Sequence, residues 1–377
     1  VGVDRVETCI SPYDYWHDRY QAYYREGLRR YLCQQGERLD VRSIPRFPKV
    51  LALLRAVRNS SRVRGAFGPA APSVHRSLDR FATMLGGKRS APWGLFHPLV
   101  GQYQFHIDGV QTRVCLDASD SGNICSPELL EQCDLYLKTN YWKGRQYDPR
   151  VVPFYNGNPL ILSHLGRLRS MRSRPAEYDF CFVVRVWGGR DEVEGVEHNI
   201  RLLEAAARVP GRKFLHAYLV AGDTAALSER LFKQGIRCST SPLPLKELWR
   251  IGAASRLNII RLGMHACVPW RMIDLLALGA CPVLDQPPLT VWPEPLREGA
   301  HFLHLSAVAT PGACMADERA YSDIPARLKQ FLADDRLIQE IRANAADYFD
   351  QHLTPEAVGR CFFDIVRERT PGRAVVP

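Results

Sequence analysis

Residues 256–285, RLNIIRLGMHACVPWRMIDLLALGACPVLD, restrict this chain more than any other stretch. Leu257–Leu262 is a short apolar run, the pattern of a buried strand, and Gly263 breaks it. Pro269 stands where a helix can begin, because the N–H it lacks has no partner in a first turn. Trp270–Leu278 has the length and apolar content of a buried helix, Gly279 stops it, and Cys281–Leu284 is a second apolar strand. The loop of this strand–loop–helix–strand unit feeds a helix N-terminus. Backbone N–H groups and the helix dipole make such a loop a place for anions. Arg271 and Asp274 lie three apart in the first turns and share a face. The guanidinium can clamp a phosphate as a fork, and the carboxylate can accept from ribose hydroxyls. The same pair also reads as an acid complementing the dipole and its ion-pair partner.

The residues before this stretch alternate in the same way. Tyr178–Val186, Phe214–Val220 and Arg237–Ser239 read as strands; Glu197–Arg208, Ala225–Gln234 and Leu245–Ala254 read as helices. That spacing predicts βαβ units, a parallel sheet and right-handed crossovers. Arg185 ends the first strand, and Gly188 with Gly189 follows, where a backbone can approach a ligand closely. Arg185 is therefore a candidate phosphate ligand, or a structural ion-pair member. No G-x-G-x-x-G follows the strand, which disfavours a nicotinamide enzyme. After residue 285 come a proline-rich loop, a short strand at His301–Leu305, and helices at Ile324–Ala333, Leu337–Phe349 and Pro355–Arg369. The tail from Pro371 reads as disordered.

The first half is less regular. Residues 11–35 are aromatic-rich and helical in pattern; their tyrosines (Tyr15, Tyr20, Tyr23, Tyr24, Tyr31) could line a sugar-acceptor cleft or simply pack. Lys49–Val57 reads as a short helix and residues 59–75 as a loop. Gly87-Lys88 invites a P-loop reading, but position 82, which needs Gly, is Ala82. Residues 102–117 form a hairpin pattern around Asp108-Gly109. Its second strand ends at Asp117, with Asp120 just beyond; a helix at Glu128–Cys133 and a strand at Leu135–Thr139 follow. Acids at a strand's carboxyl end sit where α/β proteins place their sites. Asp117 and Asp120 are thus candidate general bases and His106 is a third; the alternative is an Asp-rich loop capping the next helix. Lys138–Lys143 is polar and aromatic, as an acceptor-side rim would be.

Two domains are the natural division of 377 residues. Punctuation at Val151–Pro159 marks the passage between them. The domains are placed at 1–158 and 177–350, with 159–176 as linker and 351–377 as a last helix returning towards the first domain, plus the tail. The 46% apolar content fits a soluble globular protein. No apolar run reaches the ~18 residues of a membrane span, and no signal peptide stands at the start. The eleven cysteines are scattered without a C-x-x-C, so buried reduced thiols and a reducing compartment are expected. The net charge of +10 is uneven: Arg42 to Arg89 carries eleven Lys or Arg and one acid, Asp79. That stretch could face anionic lipid, a phosphorylated acceptor or nucleic acid, or be a solvated basic face.

The pattern W-R-x-x-D-x-x-x-x-G-A-C-P-V at 270–283 resembles the donor-site helix of GT-B glycosyltransferases, closest to exostosin-like and related bacterial enzymes. Arg271, Asp274, Gly279, Pro282 and Val283 carry the match; the family more often has Ser before the Arg, where Trp270 stands, and Glu at the acid. Arg185 with its glycines resembles the V-G-R turn of the same domain. The resemblance implies an α/β fold of two Rossmann-like domains with a cleft between them, the C-terminal one a doubly wound parallel sheet. It implies a nucleotide-sugar donor held by Arg185, Gly188, Gly263, Trp270, Arg271 and Asp274, and a glycan or lipid-linked acceptor. A base such as Asp117 implies inversion. No metal or other cofactor is expected, since cations can stabilise the departing diphosphate and no D-x-D stands at a strand end. A cytoplasmic protein is expected, with possible peripheral membrane contact through 42–89 and no nucleic-acid partner. The competing reading is a non-catalytic module that binds nucleotide, nucleic acid or membrane, though no nucleic-acid-reading motif occurs.

Overall fold

Two six-stranded sheets organise the chain, one in each of two units. Unit 1 is Val1–Pro159 with Thr354–Pro377, and unit 2 is Leu160–Leu353. The computed structural model describes residues 3–10, 15–43, 97, 99–186, 193–220, 224–263, 266–307 and 316–369. Gly188, most of the basic 42–89 stretch, the expected 49–57 helix and 59–75 loop, and the tail lie outside the described residues. Among the described residues no helix is long and apolar enough to cross a membrane.

Unit 1 begins with β1 (Val3–Ile10), α1 (Tyr15–Gln34) and β2 (Leu39–Ser43). The hairpin β3 (Val100–Ile107) and β4 (Val110–Asp117) follows, then α2 (Pro127–Gln132), β5 (Leu135–Lys138) and β6 (Val151–Pro153). The sheet order is β2-β1-β3-β4-β5-β6. The hairpin turn is Asp108-Gly109, with φ of 50° and 77°; both positive angles match the twist a two-residue turn needs. β3 is antiparallel to both neighbours, whereas β4, β5 and β6 run parallel. Asp117, Lys138 and Pro153 therefore end side by side on one carboxyl edge. The sequence reading missed β1, β2 and β6. β2 alternates Asp40 and Arg42 with small apolar residues, and β6 is three residues ending in proline.

Unit 2 opens with α3 (Leu165–Ser170) and continues through β7 (Tyr178–Val186), α4 (Val193–Ala207), β8 (Lys213–Leu219), α5 (Thr224–Phe232) and β9 (Arg237–Ser239). Next come α6 (Leu245–Ala253), β10 (Ser255–Ile260), α7 (Trp270–Ala277), β11 (Pro282–Leu284) and β12 (Leu303–His304). It closes with α8 (Glu318–Ala333) and α9 (Asp335–Tyr348). The sheet order is β9-β8-β7-β10-β11-β12, every pair parallel. Counted from the unit's first strand this is 3-2-1-4-5-6, the doubly wound order. Phe180, Phe182, Val184 and Val186 face one way and pack with Ile200 and Leu203 of α4, Ile324 of α8 and Ile341 of α9. The alternate residues face a second cluster with Phe214 and Ile251. A strand buried on both faces reads as a continuous apolar run, which is why β7 was legible.

α8 starts at Glu318, six residues before the expected Ile324, because it runs through Pro325. Proline lacks the N–H that would bond the carbonyl four residues back. That carbonyl, Tyr321 O, instead accepts from Arg208 Nη2 at 3.3 Å.

The chain re-enters unit 1 as α10 (Pro355–Arg369), which lies on α1. A Cβ on Gly359 would meet Gly27 O at 2.1 Å, so both helices need glycine where they touch. Phe362 packs against Tyr103, Phe105 and Phe154 at ring distances of 4.8, 5.5 and 5.5 Å. Tyr23 and Tyr24 are wholly buried in this core. Tyr24 Oη accepts from Gly157 N–H at 3.0 Å.

Candidate functional site

In a 3-2-1-4-5-6 sheet the strand order reverses between the first and fourth strands, and ligands bind outside the carboxyl ends there. In unit 2 that point lies between β7 and β10. Arg185 stands at the end of β7, exposed, its guanidinium 5.8 Å from the Tyr218 ring centre on β8. Arg261 follows β10 directly, half-buried, close enough to Tyr321 for its charge to act on that phenol. The sequence reading did not single out Arg261; its position after an apolar strand was the available signal.

The loop from β10 to α7 is tightly closed. Gly263 N–H donates to Cys267 O at 3.0 Å, and Ala266 N–H donates back to Gly263 O at 2.8 Å. A Cβ on Gly263 would stand 2.3 Å from Cys267 Sγ. Ala266 takes φ of 51°, a left-handed conformation unusual for a residue with a Cβ. Trp270 is the first residue of α7, half-buried, and Pro269 caps the helix without a side-chain bond. At the other end Arg172 Nε and Arg342 Nε donate to Ala277 O and Gly279 O at 3.0 and 3.1 Å. The dipole of α7 is thus held with cations at its carboxyl end.

Arg271 and Asp274 share a face, but it is the inner one. Arg271 Nη2 donates to Leu248 O of α6 at 3.2 Å, and its Nη1 stands 4.0 Å from Asp274 Oδ2 without a hydrogen bond. Gly252 makes room: a Cβ there would meet Arg271 Nη2 at 2.8 Å. The guanidinium lies beside Cys181, and burial pushes its pKa down, with Asp274 opposing. Cys181 precedes Arg185 by four residues on β7, about 13 Å at strand rise. The structure does not bring Arg271 to Arg185; Arg271 fastens α7 to α6 and to Cys181 of the sheet, with Asp274 buried beside it.

At the carboxyl edge of unit 1, Asp117 is fully buried and bonded on both oxygens. Its oxygens accept from Ser119 N–H, Cys125 N–H and Tyr136 Oη at 2.9, 3.0 and 2.9 Å. Lys138 Nζ, also without exposure, pairs with it at 3.2 Å and donates to Ser119 Oγ at 2.9 Å. Three hydrogen bonds and an ion pair engage both carboxylate oxygens, so Asp117 holds the 118–125 loop. Burial, then Asp117, pushes the Cys125 thiol up to about 11. Asp120 is exposed at the tip of that loop, and its backbone carbonyl accepts from Asn140 Nδ2. Against the loop, the Trp142 ring lies where a Cβ on Gly122 would sit, 2.2 Å away. His106 is not part of this group. It pairs with Gln111, six residues along β4 from Asp117, about 20 Å away, and its Nε2 is 2.9 Å from Gln104 Nε2.

Among the described residues no three His, Cys, Asp or Glu side chains gather as a metal-ion site. Nine of the described cysteines are thiols outside any disulfide.

No protein-family model matches the chain, and no curated protein matches it. Several solved structures are similar to it. A glycosyltransferase from Rickettsia africae ESF-5 is 11% identical, with 97% of this chain and 98% of that one covered and a TM-score of 0.48. Anabaena Alr3699/HepE in complex with UDP-glucose is 11% identical, with 97% and 100% covered and a TM-score of 0.45. Acinetobacter baumannii MurG is 12% identical, with 96% and 98% covered and a TM-score of 0.40.

Proposed function

We propose that this chain is a glycosyltransferase that moves a sugar from a nucleotide-activated donor to a hydroxyl of a glycan or lipid-linked acceptor, without a metal. One observation carries the reading. The stretch that resembles a donor-site helix is the connection from β10 into α7, at the switch point of an all-parallel 3-2-1-4-5-6 sheet. Both the topology and the motif point to a nucleotide there.

The chemistry needs a departing diphosphate stabilised and an acceptor proton removed. In this proposal Arg185, Arg261 and the backbone at Trp270 hold the diphosphate, and Gly263, whose own N–H is taken by Cys267 O, shapes the loop beside it. Arg271 and Asp274 act behind them, fixing the angle of α7. Gly188, outside the described residues, stays a proposed diphosphate contact on the sequence pattern alone. The base is Asp120, the exposed carboxylate on the loop that Asp117 holds, and in-line attack inverts the anomeric centre. The basic 42–89 stretch is proposed to meet an anionic membrane surface from the cytoplasmic side.

Titration of nucleoside diphosphates and nucleotide sugars by calorimetry, in EDTA, tests this. One nucleotide should give saturable heat, weakened about 10- to 100-fold in Arg185→Ala and Arg261→Ala. Transfer should survive the chelator. Silence towards every nucleotide, with salt-sensitive oligonucleotide or vesicle binding, would replace the transferase by a binding module.

A further inference from the structure

Around the switch point the unit-2 sheet is met by the connections that follow β10, β11 and β12, and one buried chain of side chains anchored on α4 touches all three. Asp285, the residue after β11, has no exposure. Its Oδ1 accepts Leu262 N–H at 2.9 Å, in the connection after β10, and Gln286 N–H at 3.0 Å, in the connection after β11. Its Oδ2 lies 3.1 Å from His198 Nε2 on α4, the helix that follows β7. His198 Nδ1 is 2.6 Å from Tyr321 Oη on α8. Tyr321 Oη in turn accepts Ala316 N–H at 3.0 Å, where the connection after β12 enters α8. The next residue on α4, Asn199, donates to Arg185 O at 3.2 Å.

The protons can be placed. Asp285 as a carboxylate only accepts, so His198 Nε2 carries a hydrogen, and the corresponding neutral tautomer of the ring offers Nδ1 as an acceptor. Tyr321 then donates to Nδ1, and burial favours its protonated form. The side-chain polar atoms of Asp285, His198 and Tyr321 all have partners, and a satisfied buried network selects one arrangement of the segments it joins. An apolar core would have filled the same space without fixing the backbone N–H groups of three connections.

We propose that Asp285, His198 and Tyr321 are positioning residues that hold the connections after β10, β11 and β12 in the arrangement that receives the donor diphosphate. The inference rests on the reading of this unit as the nucleotide-sugar half.

Hydrogen exchange and calorimetry with a panel of nucleoside diphosphates on the full chain test it. His198→Ala should lose amide protection at Leu262, Gln286 and Ala316 and bind the nucleotide about 10- to 100-fold more weakly, the scale of losing one or two hydrogen bonds to a charged ligand. His198→Gln, whose amide can still donate to Asp285, should recover protection at Leu262 and Gln286 and most of the affinity. Tyr321→Phe, which removes a single oxygen, should lose protection at Ala316 and some affinity while leaving Leu262 protected; it carries the test should His198→Ala not fold. Unchanged protection in these variants, or affinity that tracks only the melting temperature with no rescue by Gln, overturns the positioning role. A wild-type chain that binds no nucleotide, with protection responding as stated, overturns the donor-site reading and leaves the tie between the connections standing.

Discussion

Gly27 of α1 and Gly359 of α10 meet backbone to backbone: a Cβ on Gly27 would stand 2.3 Å from Pro355 O, and one on Gly359 would stand 2.1 Å from Gly27 O. Glycine to alanine inside a helix ordinarily stabilises, by about 0.4–1 kcal/mol. Here the sign reverses. Gly27→Ala and Gly359→Ala should each cost about 1–3 kcal/mol through overpacking. Urea melts decide; an unchanged or raised midpoint would mean the helices are not this close.

Asp117 and Asp120 should part company under the same substitution. Asp117→Asn leaves Lys138 buried without its carboxylate and should cost about 3–5 kcal/mol. Asp120→Asn should leave stability within about 0.5 kcal/mol and slow transfer about 10²- to 10⁴-fold if Asp120 is the base. Full activity in Asp120→Asn would remove it from that role.

Arg208 takes the carbonyl that Pro325 leaves without a donor. Arg208→Met should therefore cost about 0.5–1.5 kcal/mol. In a Pro325→Ala background the restored N–H bonds Tyr321 O itself, and the cost of losing Arg208 should shrink. A double-mutant cycle measures the difference; strict additivity would contradict the arrangement.

His216 gives unit 2 a pH dependence. Ser239 Oγ donates to Ser241 O at 2.6 Å, so His216 Nε2, 3.1 Å away, must donate to Ser239. Its Nδ1 is buried without a partner among the described residues. Burial, then Arg237, pushes the pKa of His216 below its ordinary value. The folded ring resists protonation more than the unfolded one, so stability is whole above the unfolded pKa of about 6.5 and falls as pH drops below it. His216→Gln should flatten the decline between about pH 7 and pH 5. Equal slopes in the two proteins would exclude His216 as the cause.

Unit 2 was largely legible because each buried strand is an apolar run closed by glycine or proline, and each helix between repeats at 3.6 residues. Its strand order was not, since pairing β7 with β10 joins residues whose sequence shows no mark of the contact. Spacing placed Arg271 and Asp274 on one face of α7 without telling which neighbour that face meets. The deciding residue was Gly252, one helix earlier, whose missing side chain admits the guanidinium. Asp117 was legible as a strand-end acid. That it would be tied into the protein interior depended on Tyr136 and Lys138 alternating on β5 so that both reach it. β1 and β2 went unread because their partners, β3 and each other, lie far along the chain.

Unit 1 takes its last helix from beyond the whole of unit 2. A ribosome making this chain presents Tyr103, Phe105 and Phe154 long before Phe362 exists to cover them. The later lobe is complete and free to close while the earlier one still waits with an open aromatic seam, the kind of surface that chaperones hold during synthesis. Birth order and folding order therefore run opposite ways, and a stop codon before residue 355 would spare the second lobe and strand the first.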